Sequence, residues 1–334
     1  MHSVTINLPS RVLLRILAVA VAPVMIFTSP VNAAEISDRR IALTFDDAPR
    51  GPGPLYTGGE RTRRILQHLE AGGVEGAMFF VTTGNLGRET DGRSRLESYV
   101  EAGHRLANHS HSHPWLWKTD VDDYLADVDR ASEILATFDG VEPYFRYPFL
   151  GEGRSEAKRD AVRNGLDARG LSNGYVTIDN YDWYMNALLK EAVRADRSIN
   201  EKRWCSAYTS ILLAGVEFYD RRAVETLGRS PQHVLLLHEN DLAALCLGVL
   251  IDALHNEGWT FVGAETAFGD AIATSPPDTL FNGQGRVAAL ANADGRPPQE
   301  LIHESEDEAW LRRRFRTLGL LPENPVPATQ DPPR

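Results

Sequence analysis

Asp46 and Asp47 stand side by side where the apolar run of "ALTFDDAP" (42–49) gives way to Pro and Gly. Two adjacent carboxylates repel, and a buried charge needs a partner. An acidic surface turn is the simplest account of such a pair. In an extended segment neighbouring side chains leave on opposite faces, so each acid could serve a separate task. A second polar group, "NHSHSHPWL" (108–116), holds three histidines in five residues. His109 and His113 are four apart, a spacing that converges on one turn of helix or across a tight loop. Two imidazoles and one carboxylate form a catalytic metal set with an open position for water, and imidazole nitrogen suits zinc. His111, between them, points elsewhere.

Such residues need a scaffold that brings distant strand ends together. "RIALTF", "GAMFFV", "HRLANH", "YFRYPF", "GYVTI", "HVLLLH" and "TFVGAE" read as short strands rich in β-branched and aromatic residues. Amphipathic stretches separate them: "RTRRILQHLEAGG", "SRLESYVEAGH", "TDVDDYLADVDRASEILATF", "SEAKRDAVRNG" and "DLAALCLGVLIDALHNEG". In the third, Val121, Leu125, Val128, Ser132 and Leu135 form one stripe. Seven strands alternating with helices predict a parallel α/β sheet or barrel, and the fold class expected is α/β, a distorted or incomplete (β/α) barrel of about seven parallel strands. Chemistry then belongs at the strand C-termini. Asp46 and Asp47 follow the first strand, His109 and His113 the third, Arg146 the fourth, Asp182 the fifth and His238 the sixth. The segment 184–232 is longer than such a unit needs and predicts two extra helices.

The 334 residues carry a net charge of −11, which argues against a nucleic-acid partner. Arg11 and Arg15 precede an apolar run (16–27) and the small residues of "TSPVNAA", so 1–34 reads as a signal peptide. A protein exported to the periplasm or secreted, with no stable membrane span after cleavage, is the expectation. Cys205 and Cys246 are the two cysteines; a disulfide and two buried thiols are both compatible with that setting. From about Gly269 the composition turns to Pro, Gly, Asp and Asn. This suggests domains of 35–268 and a partly disordered extension, 269–334, dispensable for the chemistry. "DEAWLRRRFRTLGLLP" within it suits one packed helix, and "ENPVPATQDPPR" reads as disordered.

Five motifs in order resemble those of the polysaccharide deacetylases of the NodB-homology type, carbohydrate esterase family 4. "TFDDAP" is similar to the family's TFDDGP, "HSHSH" to H-[ST]-x-x-H, "RYPF" to R-x-P-[YF], "DNYDW" to D-x-x-D-W and "LLLH" to L-x-H. The likeness spans roughly 40–265. Ala48 departs from the usual Gly, and Phe149–Leu150 from the usual Tyr-Gly. The resemblance implies an exported, metal-dependent hydrolase that removes N-acetyl or O-acetyl groups from a glycan or oligosaccharide. Asp47, His109 and His113 would hold one divalent ion, zinc by ligand chemistry. Asp46 would be the general base, held ionised by Arg146, and His238 the general acid, with Asp182 orienting or charging a partner, either His238 or Arg146. The backbone N–H of Phe149 would face the oxyanion, and Trp183 and Tyr147 would line the sugar groove. Trp115 and Trp117 could stack sugar or pack in the core. Two other readings remain: a hydrolase of a small non-sugar amide on the same fold, and a non-catalytic glycan-binding protein.

Overall fold

The computed structural model describes residues 1–3, 39–88 and 90–322, so the signal-peptide and "ENPVPATQDPPR" readings lie outside the described residues. Among the described residues seven strands, all parallel, form one sheet: β1 Arg40–Ala48, β2 Met78–Val81, β3 Arg105–Asn108, β4 Val141–Phe145, β5 Ser172–Asn173, β6 Gln232–His238 and β7 Thr260–Phe261. The order is β5-β4-β3-β2-β1-β6, with β7 on the start of β1. Helices surround this curled half-barrel. The central strands β1 and β2 are apolar along most of their length because both faces are covered; β2 is buried throughout, as are the first six residues of β1 after Arg40.

"GYVTI" is not a regular strand. The ladder of β5 ends at Asn173, and the segment after it runs beside β6 with a single bridge, Ile178 to Leu235. Backbone N–H groups of Thr177 and Ile178 both donate to Val234 O, at 3.0 and 3.2 Å. This irregular strip narrows the gap between β5 and β6, so the barrel is distorted.

The helices follow their sequence signals. Thr57 and Glu60 form a reciprocal capping box at the start of helix Gly58–Ala71. The stripe in helix Val121–Leu135 is centred on Tyr124, Leu125, Val128, Ala131 and Leu135, with Val121 and Ser132 only half-buried. The long connection contains helices Asp182–Arg194 and Glu201–Leu227. A disulfide between Cys205 and Cys246 ties the second of these to helix Asp241–Asn256.

Residues 269–322 pack as part of the same core. Val287, Ala291, Leu301, Leu311, Phe315 and Leu321 are buried in it, and the Phe315 ring lies 5.2 Å from that of Trp204. Helix Glu308–Thr317 falls within "DEAWLRRRFRTLGLLP". The same segment reaches the loop after β5: Tyr181 N–H donates to Ser305 O at 2.9 Å, and the buried Glu306 meets the buried Asp179. Glu306 Oε1 accepts from the Tyr219 hydroxyl and the His303 N–H, whereas Oε2 has no donor among the described residues. A proton shared with Asp179 would satisfy both acids. Burial first, and then the facing Glu306 charge, hold Asp179 well above the usual carboxyl range, and burial raises Glu306.

A group raised on folding contributes stability below its unfolded value, lost as pH rises through the folded one. Thermal stability should therefore fall between about pH 5 and pH 8, and Glu306→Gln, whose amide can donate to Asp179, should flatten that fall. Parallel melting curves for the two proteins across this range would remove the shared proton from the account.

Candidate active site

β1 delivers both acids, but not to opposite faces. At Asp47 the backbone turns left-handed (φ 67), and the register against β2 shifts between Phe45 and Ala48. The extended geometry that would have separated the two side chains ends one residue too early. Both carboxylates therefore approach one point: Asp46 Oδ2 lies 3.6 Å and Asp47 Oδ1 3.8 Å from His109 Nε2. Ala48 is not among the residues with positive φ, so its methyl carries no left-handed strain where the family usually has Gly.

The histidines sit on a tight loop after β3, not on a helix. Ser110 and His113 have φ of 69 and 58. Asn108 Oδ1 accepts from Ser110 N–H at 2.7 Å, and Ser110 Oγ from His113 N–H at 3.0 Å. His109 Nδ1 lies 2.8 Å from Arg146 O, a carbonyl that can only accept, so Nδ1 carries a proton and Nε2 is the nitrogen turned to the site. It faces Asp47, as does His113 Nε2 at 3.4 Å from Asp47 Oδ1. Donor atoms of Asp47, His109 and His113 all lie within 4.8 Å of one another. Two imidazoles and a carboxylate fit a divalent ion. Burial pushes His113 down to about 4, which keeps it a neutral donor. Burial pushes Asp47 up, but His113, Arg50, His238 and His109 outweigh it and hold the carboxyl well below its ordinary range.

Asp46 has a different partner. Arg146, fully buried just beyond β4, donates to Asp46 Oδ1 at 2.7 Å and to Thr44 Oγ1 at 2.8 Å. Its Nε donates to Gly174 O, and the guanidinium lies 3.8 Å over the Phe80 ring. Asp46 is thus fixed by one oxygen, with the other turned toward the site.

His238 closes β6 and is in register with Asp46 across the ladder. Its Nδ1 lies 2.6 Å from Asp182 Oδ1, while Asp182 Oδ2 accepts from the His238 N–H and the Asn240 amide, each at 3.0 Å. Asp182 opens helix Asp182–Arg194, where a negative charge suits the helix dipole. Burial lowers the His238 pKa, but the Asp182 charge and hydrogen bond outweigh it, and the imidazole is raised above its ordinary value.

Nine of the ten predicted residues meet around one open cleft of about 1350 Å³ or in the layer directly beneath it; Asp46, Asp47, His109, His113, Phe149, Trp183 and His238 line it. Tyr147 does not. Its side chain is buried against Tyr124 and Phe145 in a second apolar cluster, because it alternates away from Arg146. The Phe149 ring lies 4.5 Å from His113 and stacks on Trp115 at 3.5 Å. His104 and His233 are buried and bonded within the fold, to Ala77 N–H and to Thr177 and Asp220.

Several site residues lay outside the motif reading. Arg50 bonds Asp47 Oδ2 at 3.2 Å. Its own loop is held by acids immediately after His238: Glu239 accepts from Arg50 N–H at 2.6 Å and from Arg95 at 2.7 Å, and Asp241 pairs with Arg61 at 2.7 Å. A methyl at Gly53 would meet the Asp241 carboxylate at 2.1 Å, so that loop needs glycine there. The "HEND" run after β6, two acids in a strand-end loop, was the available signal. Arg61 and Arg95 gave none, since each sits on a helix whose other charges are solvated.

Residues 33–168 match the polysaccharide deacetylase family model. A peptidoglycan-N-acetylglucosamine deacetylase of Bacillus cereus is 34% identical over 126 residues, 38% of this chain and 40% of that protein, so the chain spans less than half of that relative's length. Among solved structures, a family 4 carbohydrate esterase from Streptomyces lividans in complex with acetate is 22% identical, covering 69% of this chain and 96% of that one at a TM-score of 0.44. A family 4 acetyl xylan esterase from Clostridium thermocellum in complex with a cobalt ion is 20% identical, covering 69% and 90%, at 0.46. Asp182 and His238 lie beyond the matched stretch and stand on geometry alone. The stretch 33–168, which supplies both acids, both histidines and Arg146, is the part of the chain that matches the polysaccharide deacetylase family model.

Proposed function

We propose that the protein is an exported, metal-dependent deacetylase that releases acetate from an N-acetylated glycan. The observation that carries this is the in-register pairing of Asp46 with His238 beside an Asp-His-His donor set. Asp47, His109 and His113 would hold the divalent ion, which we assign as zinc from the two imidazoles and one carboxylate. When bound, such an ion supplies a Lewis acid and a water whose pKa is lowered toward about 7.

The chain's own groups do the rest. Asp46 Oδ2, left free while Oδ1 is fixed by Arg146, accepts a proton as the acetamide carbon is attacked. The Phe149 N–H faces the developing oxyanion; such a donor is worth about 3–4 kcal/mol of barrier when well placed. His238, held by Asp182 and raised above its ordinary pKa, keeps the proton that the leaving amine needs. Trp183 and Phe149 line the groove in which the sugar lies. The Cys205–Cys246 disulfide supports an oxidising destination, and no described helix is long and apolar enough to cross a membrane.

Asp182→Asn removes the group that raises His238. The alkaline limb of the pH–rate profile, where the acid loses its proton, should move to lower pH. An unmoved limb would take His238 out of the acid role.

The reading is tested by measuring acetate released from chitin oligomers, peptidoglycan and N-acetylated exopolysaccharides, with small acetamides as controls. Turnover of the glycans alone supports it. Turnover of small amides alone points to the other hydrolase, and glycan binding without acetate release to a binding protein.

A further inference from the structure

The loop that leaves β1 is fastened through its backbone. Arg50 N–H donates to Glu239 Oε2 at 2.6 Å, and the carbonyls of Arg50 and Gly51 accept from Arg61 Nη1 at 3.0 and 2.9 Å. Behind these groups lies a cluster of four buried charges: Arg61 meets Asp241 and Arg95 meets Glu239, each at 2.7 Å. Burying ions is costly, so four of them under one short loop call for a reason. The backbone of Asp47 is held separately, by the Asn85 amide, which donates to Asp47 O at 3.1 Å.

What this framework presents to the site is the Arg50 side chain. Its Nη1 donates to Asp47 Oδ2 at 3.2 Å. The other oxygen of the same carboxylate, Oδ1, is the one near His113 Nε2 and His109 Nε2, at 3.4 and 3.8 Å. Asp47 is thus divided, with one oxygen for the donor set and one for a guanidinium. The division fixes a donor count. Oδ1 and the two imidazoles supply three atoms, which leaves a four-coordinate ion one open position, as catalytic sites require. A fourth protein donor closes such a site, and Oδ2 is the atom nearest to that role. The guanidinium takes up a lone pair of Oδ2 and sets a permanent positive charge against a divalent ion.

We propose that Arg50 is a positioning residue that confines Asp47 to ligation through one oxygen, so that the ion keeps an open position and is held less tightly than the Asp-His-His set alone would hold it. This rests on the metal-dependent reading above. It runs against the usual effect of groups behind a metal ligand, which tighten binding by orienting the ligand.

The test compares the full chain with its Arg50→Ala, Arg50→Met and Arg50→Lys variants, each stripped of metal and reloaded with zinc. Glu239 and Arg61 bond main-chain atoms of the loop, so their anchors survive all three substitutions. Arg50→Met also keeps the bulk of the side-chain stem and repeats the test if Arg50→Ala melts poorly. Zinc affinity from chelator competition should tighten about tenfold or more in the Ala and Met variants, the reverse of the loss usual for such groups. Crystal structures of their zinc forms should show Oδ2 joined to Oδ1 as a ligand, and that of the unmodified protein should not. Acetate release at full occupancy should drop about tenfold in these variants, through kcat. Arg50→Lys, which keeps the charge, should lie nearer the unmodified protein in all three measurements. Weaker zinc binding in the Ala and Met variants, or ligation still through one oxygen, overturns the proposal and makes Arg50 an ordinary orienting group. An unmodified chain that takes up no ion sinks the metal-dependent reading and this one with it. An unmodified chain that takes up one ion, beside variants that behave identically, sinks the role of Arg50 alone.

Discussion

Asp46→Asn should keep its metal and lose its activity, whereas Asp47→Asn should lose its metal. The two carboxylates are almost equally far from His109 Nε2, so distance alone does not divide their tasks. Their other partners do. Asp46 is held by the buried Arg146, which satisfies one oxygen and orients the second. Asp47 faces both imidazoles. Asn at 47 replaces an anionic ligand with a neutral amide oxygen, so metal content falls and excess metal restores part of the rate. Asn at 46 leaves the donor set whole and removes the proton acceptor, a loss of about 10²–10⁴-fold that added metal does not repair. A melting curve guards the comparison, since an unpaired buried arginine can cost about 3–5 kcal/mol. Metal loss in Asp46→Asn with metal and activity kept in Asp47→Asn would reverse the two assignments.

Ending the chain after Phe268 should abolish folding. Its loop-like composition makes 269–322 look expendable, but its apolar residues fill the main core. Truncating one buried Leu or Phe costs about 2–5 kcal/mol. Losing Leu301, Leu311 and Phe315 together reaches the total stability of a typical domain, about 5–15 kcal/mol. The same cut removes Asn282, Gln284 and Glu308 from the cleft and uncovers Asp179. The expected product is insoluble or lacks a cooperative melting transition. A soluble, sharply melting truncation that still binds one metal ion would show the segment to be peripheral.

The sheet was legible because parallel strands covered on both faces write themselves as apolar runs, and their polar ends marked the site. What stayed hidden depended on the backbone or on distant partners. The convergence of Asp46 and Asp47 rests on one left-handed residue, and extended-strand geometry predicts the opposite. "GYVTI" has strand composition, but its pairing is limited to one bridge with β6. Tyr147 is adjacent to Arg146 in a matching motif, yet alternation sends it into the second core. Glu306 and Asp179 are 127 positions apart, and only packing makes them a pair.

The most direct measurement is a metal titration of chelator-stripped protein, with bound ion and acetate release from an N-acetylated glycan followed together. The account predicts no release without metal and a rate that rises in proportion to occupancy, saturating at one ion per chain. Full acetate release from the metal-free protein, or release that ignores occupancy of the Asp47–His109–His113 set, would contradict it.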